Sequence, residues 1–494
     1  MVNPSTFKVY NASAGSGKTF TLVKEYLKIV LQNTDVFYFQ KILAITFTNK
    51  AATEMKERIL YNLACFARKE KTAMWQSIQE ETGLKTAVIQ ERALKITGAI
   101  LQNYTAFNIT TIDSFTHRII RSFAYDFGLS LDFDVELDTQ KLLQEAVDAV
   151  LDQIGVNPEL TEVLIHFSLQ KSNEDKTWDI AHTLSDFAKI LLNETDKIDF
   201  QTIEHQSFTS YKRLQKDISN RQTAIYNTLQ ELGDKGKELL KENLLESRYF
   251  NYQMLPKFFD SLSEKKDVSE LFIKGRLSKR FEENTLLKKS AGATAQQAFD
   301  RIYQACYQIF LDAERHFHQW ILLKLFKESI IPLAVLSFIN KALKNIQEEN
   351  NIRMISEFNE LIFKKIQNEP TPFIYERIGE KFQHYFIDEM QDTSVLQWKN
   401  LAKLIDNALT QEGGSLLLVG DAKQAIYRWR GGASEQFIEL AEPENSRPFL
   451  IPKTVVNLDT NYRSFSEIIQ FNNDFFQHLS GLLQNKAYQE LYQA

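Results

Sequence analysis

The apolar positions along the first 120 or so residues follow two alternating rhythms. FKVYNA (7–12) predicts a short buried strand. From Lys18 to Gln32, Leu22, Tyr26, Ile29 and Val30 recur at helical spacing. KILAITF (41–47) predicts a second strand, and the segment after it carries Ala51, Met55, Ile59 and Leu63 on one helical face. NITTID (108–113) predicts a third strand, and SFTHRIIRSF leads into another helix. Strands that alternate with helices imply a parallel sheet covered on both faces.

From roughly 135 to 370 the strand signals nearly vanish. KLLQEAVDAVLDQI (141–154) and QWILLKLFKESI (319–330) have helical periodicity, and the prolines here are few (Pro158, Pro256 and Pro332), which suits long helices. KGRLSKR (274–280) with Lys288 and Lys289 forms a basic cluster, either a solvated helix face or a phosphate-contacting surface. Pro370 and Pro372 mark a junction, after which the first rhythm returns: HYFIDE (384–389) and SLLLVGD (415–421) are apolar strands that end in acidic residues. A helical block is therefore expected inside one α/β domain. Near residue 452 a further segment begins with KTVVNLDTNYRS and continues into the helix SFSEIIQFNNDFFQHL.

Composition adjusts this picture only at its edges. The 494 residues suit about three or four domains. A 44% hydrophobic and 25% charged composition is ordinary for a soluble globular chain, and 17 glycines with 9 prolines point to a helix-rich one. The net charge of -6 does not favour nucleic-acid binding by itself, yet only a local groove has to be positive. No apolar run is long enough to span a bilayer, and MVNPSTFKVY lacks the basic start and apolar core of a secretory signal. Two cysteines, Cys65 and Cys306, make no disulfide framework, so the expected location is a reducing cytoplasm.

Two motifs carry chemistry on their own residues. Ala12, Ser13, Ala14, Gly15, Ser16, Gly17, Lys18 and Thr19 lie between a strand and a helix with the spacing of a phosphate loop, alanine standing for its first glycine. Gly15 and Gly17 let the backbone curl its N–H groups inward, and the following helix directs its positive end at the same place. Lys18 would neutralise the β- and γ-phosphates of ATP, and the Thr19 hydroxyl would ligate magnesium. The second motif is DEMQD (388–392), after the strand YFI. There Asp388 would hold magnesium and Glu389 would orient and deprotonate the attacking water. Adjacent carboxylates at a buried sheet end are costly without a cation.

Both motifs, and the order of the rest, resemble superfamily-one DNA helicases of the UvrD/RecB type. NASAGSGKTF is closest in form to the RecB and AddA recombination helicase-nucleases. The resemblance is specific over about 1–125 and 375–470, whereas the helical block agrees only in position and character. It implies an α/β fold: a P-loop RecA-like motor domain built from 1–125 and 373–452, a large, mostly helical insertion at 126–372, and the start of a second RecA-like domain at 453–494. TFTNKAATEMKERI (46–59) resembles the first DNA-contact motif. There Phe47 would stack on a base, and Thr46, Asn49 and Lys50 would meet the phosphate backbone. Taken without the resemblance, Phe47 is core and Asn49 a helix cap. TIDSFTHRI (111–119) resembles the next backbone motif, with Thr111 and Ser114 at polar positions. Asp113 stands where histidine is frequent, and helix capping is its expected role, with Ser114 making the contact.

VGDAKQAIYRWRGG (419–432) resembles the motif that couples ATP to DNA. Gln424 would sense the γ-phosphate, Tyr427 and Trp429 would face the strand, and Arg430 would brace the loop; cation–π packing at a domain surface is the other reading. LDTNYRS (458–464) resembles the motif opening the second motor domain, with Tyr462 on adenine and Arg463 reaching the γ-phosphate. No glutamine motif precedes the phosphate loop, the family's last two motifs do not appear, and no nuclease motif is visible. The chain is thus expected to be the front portion of a longer protein. The expected function is an ATP-dependent translocase or helicase acting on single-stranded DNA or DNA ends. No membrane association is expected, and a nuclease or helicase subunit would be a further partner. The alternative is an ATP- and DNA-binding module that does not itself unwind.

Overall fold

The computed structural model describes residues 6–136, 138–173, 180–264, 272, 275–368, 381–442 and 447–493. The junction expected at Pro370 and Pro372, and Lys274 of the basic cluster, lie outside these residues. The chain forms two compact units, one of residues 1–139, 190–199 and 346–494, the other of 140–189 and 200–345.

The first unit is built on strands β1 (Phe7–Ala12), β2 (Ile42–Thr46), β3 (Ile109–Thr111), β6 (His384–Ile387), β7 (Ser415–Gly420) and β8 (Lys453–Leu458), in the order β3-β2-β6-β7-β1-β8. Every neighbouring pair is parallel. Side chains alternate across it. Phe7, Val9, Leu43, Ile45, Tyr385, Ile387, Leu416 and Leu418 enter one buried cluster. Tyr10, Ala12, Ile42, Ala44, Phe386, Leu417 and Val419 enter the other. A sheet buried on both faces needs apolar residues at successive positions, which is why these strands read as continuous runs. The helix Lys18–Gln32 buries Leu22, Tyr26 and Val30. The helix Asn49–Ala67 buries Ala52 rather than Ala51, together with Met55, Ile59 and Leu63.

Two details differ from the sequence reading. β8, expected to open a separate segment, is an edge strand hydrogen-bonded to β1 from Phe7↔Lys453 to Ala12↔Leu458, so a boundary at 453 would cut a strand pair. A second parallel pair, β4 (Asp134–Glu136) with β5 (Ile352–Met354), lies inside the block read as helical. Each is only three residues long, too short to show a period of its own.

The second unit is helical among its described residues, with Phe208–Glu242, Met254–Ser263 and the 57-residue Ala293–Glu349 as its main elements. Phe250, Phe258, Phe259, Phe281, Phe310 and Phe317 dominate its core. Gly233 and Gly236 let the first two helices touch: a Cβ on Gly233 would stand 2.7 Å from the Phe259 carbonyl oxygen. Of the basic cluster, Lys279 pairs with Glu283 at 3.7 Å and Arg280 donates to the Thr285 carbonyl at 3.1 Å, as a solvated face does. No helix among the described residues is long and apolar enough to cross a membrane.

Candidate functional site

Chain direction in the parallel sheet brings the carboxyl ends of β1, β2, β6 and β7 to one edge, and the loops that follow them share it. After β1 the chain turns through Ser13–Gly17, closed by Ser16 N–H and Oγ, which donate to the Ser13 carbonyl at 3.2 and 2.7 Å. Gly15 and Gly17 have φ of 80° and 89°, the left-handed region where a Cβ is strained. Gly17 starts the helix Lys18–Gln32 without any capping side chain, so the first-turn N–H groups face the loop.

Lys18 Nζ donates to both carboxylate oxygens of Glu389 at 3.3 Å and to Gln424 Oε1 at 3.4 Å. Gln391 Nε2 donates to Glu389 at 2.6 Å, and Gln391 Oε1 accepts the Asp421 N–H at 2.9 Å. Gln424 Nε2 donates to Asp421 Oδ2 at 2.6 Å. The five residues Lys18, Glu389, Gln391, Asp421 and Gln424 thus form a closed ring over the ends of β1, β6 and β7. Glu389 itself has φ 52°, a left-handed conformation that costs a non-glycine residue about 1–3 kcal/mol. Desolvation by burial, with Glu389 next to it, pushes the Asp388 carboxyl up to about 7.

The segment after β8 rests on the phosphate loop. Asn461 Nδ2 donates to the Ala14 carbonyl at 3.0 Å and Tyr462 N–H to the Gly15 carbonyl at 2.9 Å. A Cβ on Gly15 would lie 2.7 Å from Asn461 Oδ1 and 2.9 Å from Arg463 Cβ, so glycine is required by contact as well as by φ. Tyr462 and Arg463 are exposed.

The residues expected at nucleic acid divide into two groups. Phe47 is not core: it is only partly buried and its ring packs on Tyr427 at 4.4 Å, with Arg430 above its face at 5.7 Å. Trp429 is 71% exposed and lies 6.3 Å from Tyr427. Asn49 and Lys50 are exposed at a helix start that Thr48, not Asn49, caps. By contrast Thr46 and Thr111 are buried. Thr46 donates to the Thr48 carbonyl at 3.1 Å. Thr111 caps the helix Ile112–Ser122 by accepting the Ser114 N–H, which takes from Asp113 the capping role expected of it. Ser114 is exposed, and its Oγ accepts from Thr111 at 2.7 Å.

The sequence profile of the UvrD/REP helicase N-terminal domain matches residues 4–444. The chain belongs to the UvrD/REP helicase family. Among curated members, it is 26% identical to an ATP-dependent helicase/nuclease subunit of Lactococcus lactis subsp. lactis, over 95% of this chain and 38% of that protein. It is 25% identical to the exonuclease/helicase protein RexA of Lactococcus lactis subsp. cremoris, with the same coverage. The ATP-dependent helicase/nuclease subunit of Streptococcus pyogenes serotype M28 is 23% identical over 95% of this chain and 37% of its own length. The chain therefore spans under two fifths of these relatives.

Within this UvrD/REP helicase chain, Gln391, Asp421 and Asn461 were not singled out from sequence. All three stand inside the motifs above, but none is charged or aromatic in a way that announces a ligand, Asp421 excepted, and its backbone N–H is held by Gln391 from the loop after β6. Their roles follow from which loops the parallel sheet sets side by side.

Proposed function

We propose that this chain is the nucleotide-binding and strand-gripping front of an ATP-driven DNA helicase motor acting in repair and recombination. The observation that carries the reading is the closed ring of Lys18, Glu389, Gln391, Asp421 and Gln424, which ties a phosphate loop to an acidic strand end and to the aromatic loop after β7. In this reading residues 12–19 cradle the ATP phosphates and Lys18 neutralises the terminal ones. Thr19 and Asp388 are the residues that would hold magnesium. The donor set fits, since a hydroxyl and a carboxylate crowded by Glu389 suit a small divalent ion that also takes phosphate oxygens. When bound, the ion would spread the charge that develops on the transferring phosphate. Glu389 orients and deprotonates water, Gln424 and Arg463 register the γ-phosphate, and Tyr462 stacks on adenine.

The strand path runs over Phe47, Tyr427 and Trp429, with Asn49, Lys50, Ser114 and Arg430 as backbone contacts. Stacking on such rings is worth about 1–3 kcal/mol per base and tolerates any sequence. Two backbone links join the acidic end to this path: the Ser394↔Gly432 bridge, and Ala433 N–H on the Thr393 carbonyl at 3.2 Å. Residues beyond β8 are read as the opening of a second RecA-like domain. The helix Ser466–Ser480 keeps Ile468, Phe471 and Phe475 exposed, as an element does when its apolar face packs on a further layer. The relatives' names support a helicase-nuclease complex as the setting, in which another subunit would be the partner.

The test is DNA-stimulated ATP hydrolysis by the full-length protein. Glu389→Gln should lower kcat by about 10²–10⁴-fold while ATP still binds. Turnover unchanged by Glu389→Gln would overturn the reading.

A further inference from the structure

Asp113 stands in the first turn of the helix Ile112–Ser122, where an acidic residue ordinarily caps or complements the helix end. The cap is already made by Thr111. Asp113 reaches elsewhere: its Oδ2 accepts from Arg430 Nη2 at 3.4 Å and its Oδ1 from Gln397 Nε2 at 3.2 Å. Gln397 is locked in its turn, since its Oε1 accepts the Ser394 N–H at 2.9 Å in a capping box two residues past DEMQD. Burial disfavours the charged form of Asp113, and Arg430 and Gln397 oppose that effect.

On its other side Arg430 lies over the Phe47 ring at 5.7 Å, Phe47 packs on Tyr427, and Tyr427 neighbours Trp429. Half of the Arg430 side chain, 49%, is open to solvent. A guanidinium has five N–H donors in one plane, and only one contact here goes to Asp113. The guanidinium is thus held between a carboxylate and an aromatic face while half of the side chain stays open to solvent.

We infer that Asp113 is a positioning residue for strand engagement. It fixes the Arg430 guanidinium so that the free donors meet a backbone phosphate of the strand whose bases lie on the aromatic run. Asp113 does not touch the phosphate, which it would repel. It removes the rotamer freedom that a long cationic side chain otherwise loses on binding. This rests on the strand path proposed above.

The experiment titrates oligo(dT) against ATP hydrolysis by the full-length protein. For Asp113→Asn the half-saturating oligo(dT) concentration should rise about fivefold, the size of one oriented charge pair, while KM for ATP stays put. Asp113→Glu, which keeps the carboxylate, should recover part of the loss. In an Arg430→Ala background the Asp113→Asn change should add nothing. Arg430→Lys, which leaves the half-buried Asp113 carboxylate in place, should show the same rise through loss of the planar fork. Additive effects of Asp113→Asn and Arg430→Ala, or an unchanged oligo(dT) requirement, would overturn the inference. Trp429→Ala run alongside separates the two failures. If it leaves DNA stimulation intact, the strand path itself is wrong. If it weakens stimulation while Asp113→Asn does not, only the positioning role falls.

Discussion

Gln391 shows how much of this site depends on residues that act on other residues. Its amide donates to Glu389 and accepts from the Asp421 backbone, so one uncharged side chain spans the ends of β6 and β7. A Cβ on Gly420 would stand 2.7 Å from Gln391 Oε1, which shows how closely the amide is seated. Gln391→Ala should lower kcat for ATP about tenfold, the worth of one hydrogen bond to a charged group, with KM for ATP nearly unchanged. A raised KM with kcat unchanged would show that Gln391 serves binding instead. The carboxylates of DEMQD were legible in the sequence because adjacent acids at a strand tip imply a cation. Gln391 was not, because its partner comes from a strand whose neighbour the sequence does not name. The threonines fared differently. Thr46 and Thr111 resemble contacts by their motifs, but a hydroxyl beside a helix start serves the backbone equally well, and both side chains are buried.

Elements were legible where burial imposed a rhythm. β1, β2, β6 and β7 are buried on both faces, and their apolar runs appear in the sequence with nearly the observed bounds. β8 is an edge strand with no fully buried residue, so nothing in its composition reveals that it pairs with β1. The same reasoning bears on helix contacts. At Gly233 a methyl group would meet the Phe259 carbonyl and Ser263 N–H, both backbone atoms that cannot swing aside. Gly233→Ala gains about 1 kcal/mol of helix propensity and loses about 1–3 kcal/mol to overpacking. Thermal unfolding should show net destabilisation of about 1 kcal/mol, and a raised midpoint would refute the close approach. In the first unit, burial would raise the Glu360 carboxyl, but Lys197 and Lys364 outweigh it and lower the group from 4.5 to about 2. A depressed carboxylate contributes stability above its unfolded value and loses it as pH falls through the folded one. The stability gap between the native protein and Glu360→Gln should therefore be on the order of 2 kcal/mol near neutrality. It should close between about pH 4.5 and 2. A gap that does not depend on pH would dismiss the ion pairs as its source.

At the scale of the whole molecule, a net charge of -6 leaves little general attraction for nucleic acid, so the proposed strand path would have to rely on its aromatic run and a few cations. If Lys50 and Arg430 are the strand's cationic contacts as proposed, the slope of log affinity against log salt for oligo(dT) should be only about -1 to -2. Fluorescence anisotropy across a salt series measures it, and a slope several-fold steeper would demand a basic track elsewhere. The chain's route between its units adds a further consequence. Residues 190–199 belong to the first unit although residues on either side of them belong to the second. Within that stretch, Glu194 accepts from Ser394 Oγ at 2.6 Å and from Asn359 Nδ2 at 2.8 Å, and Lys197 pairs with Glu360 at 2.8 Å. The helical unit is therefore not a single exchangeable cassette. Grafting a foreign block across 140–345 would carry away the contacts to Asn359, Glu360 and Ser394 of the first unit, whereas grafting 140–189 and 200–345 as two separate inserts would leave them in place.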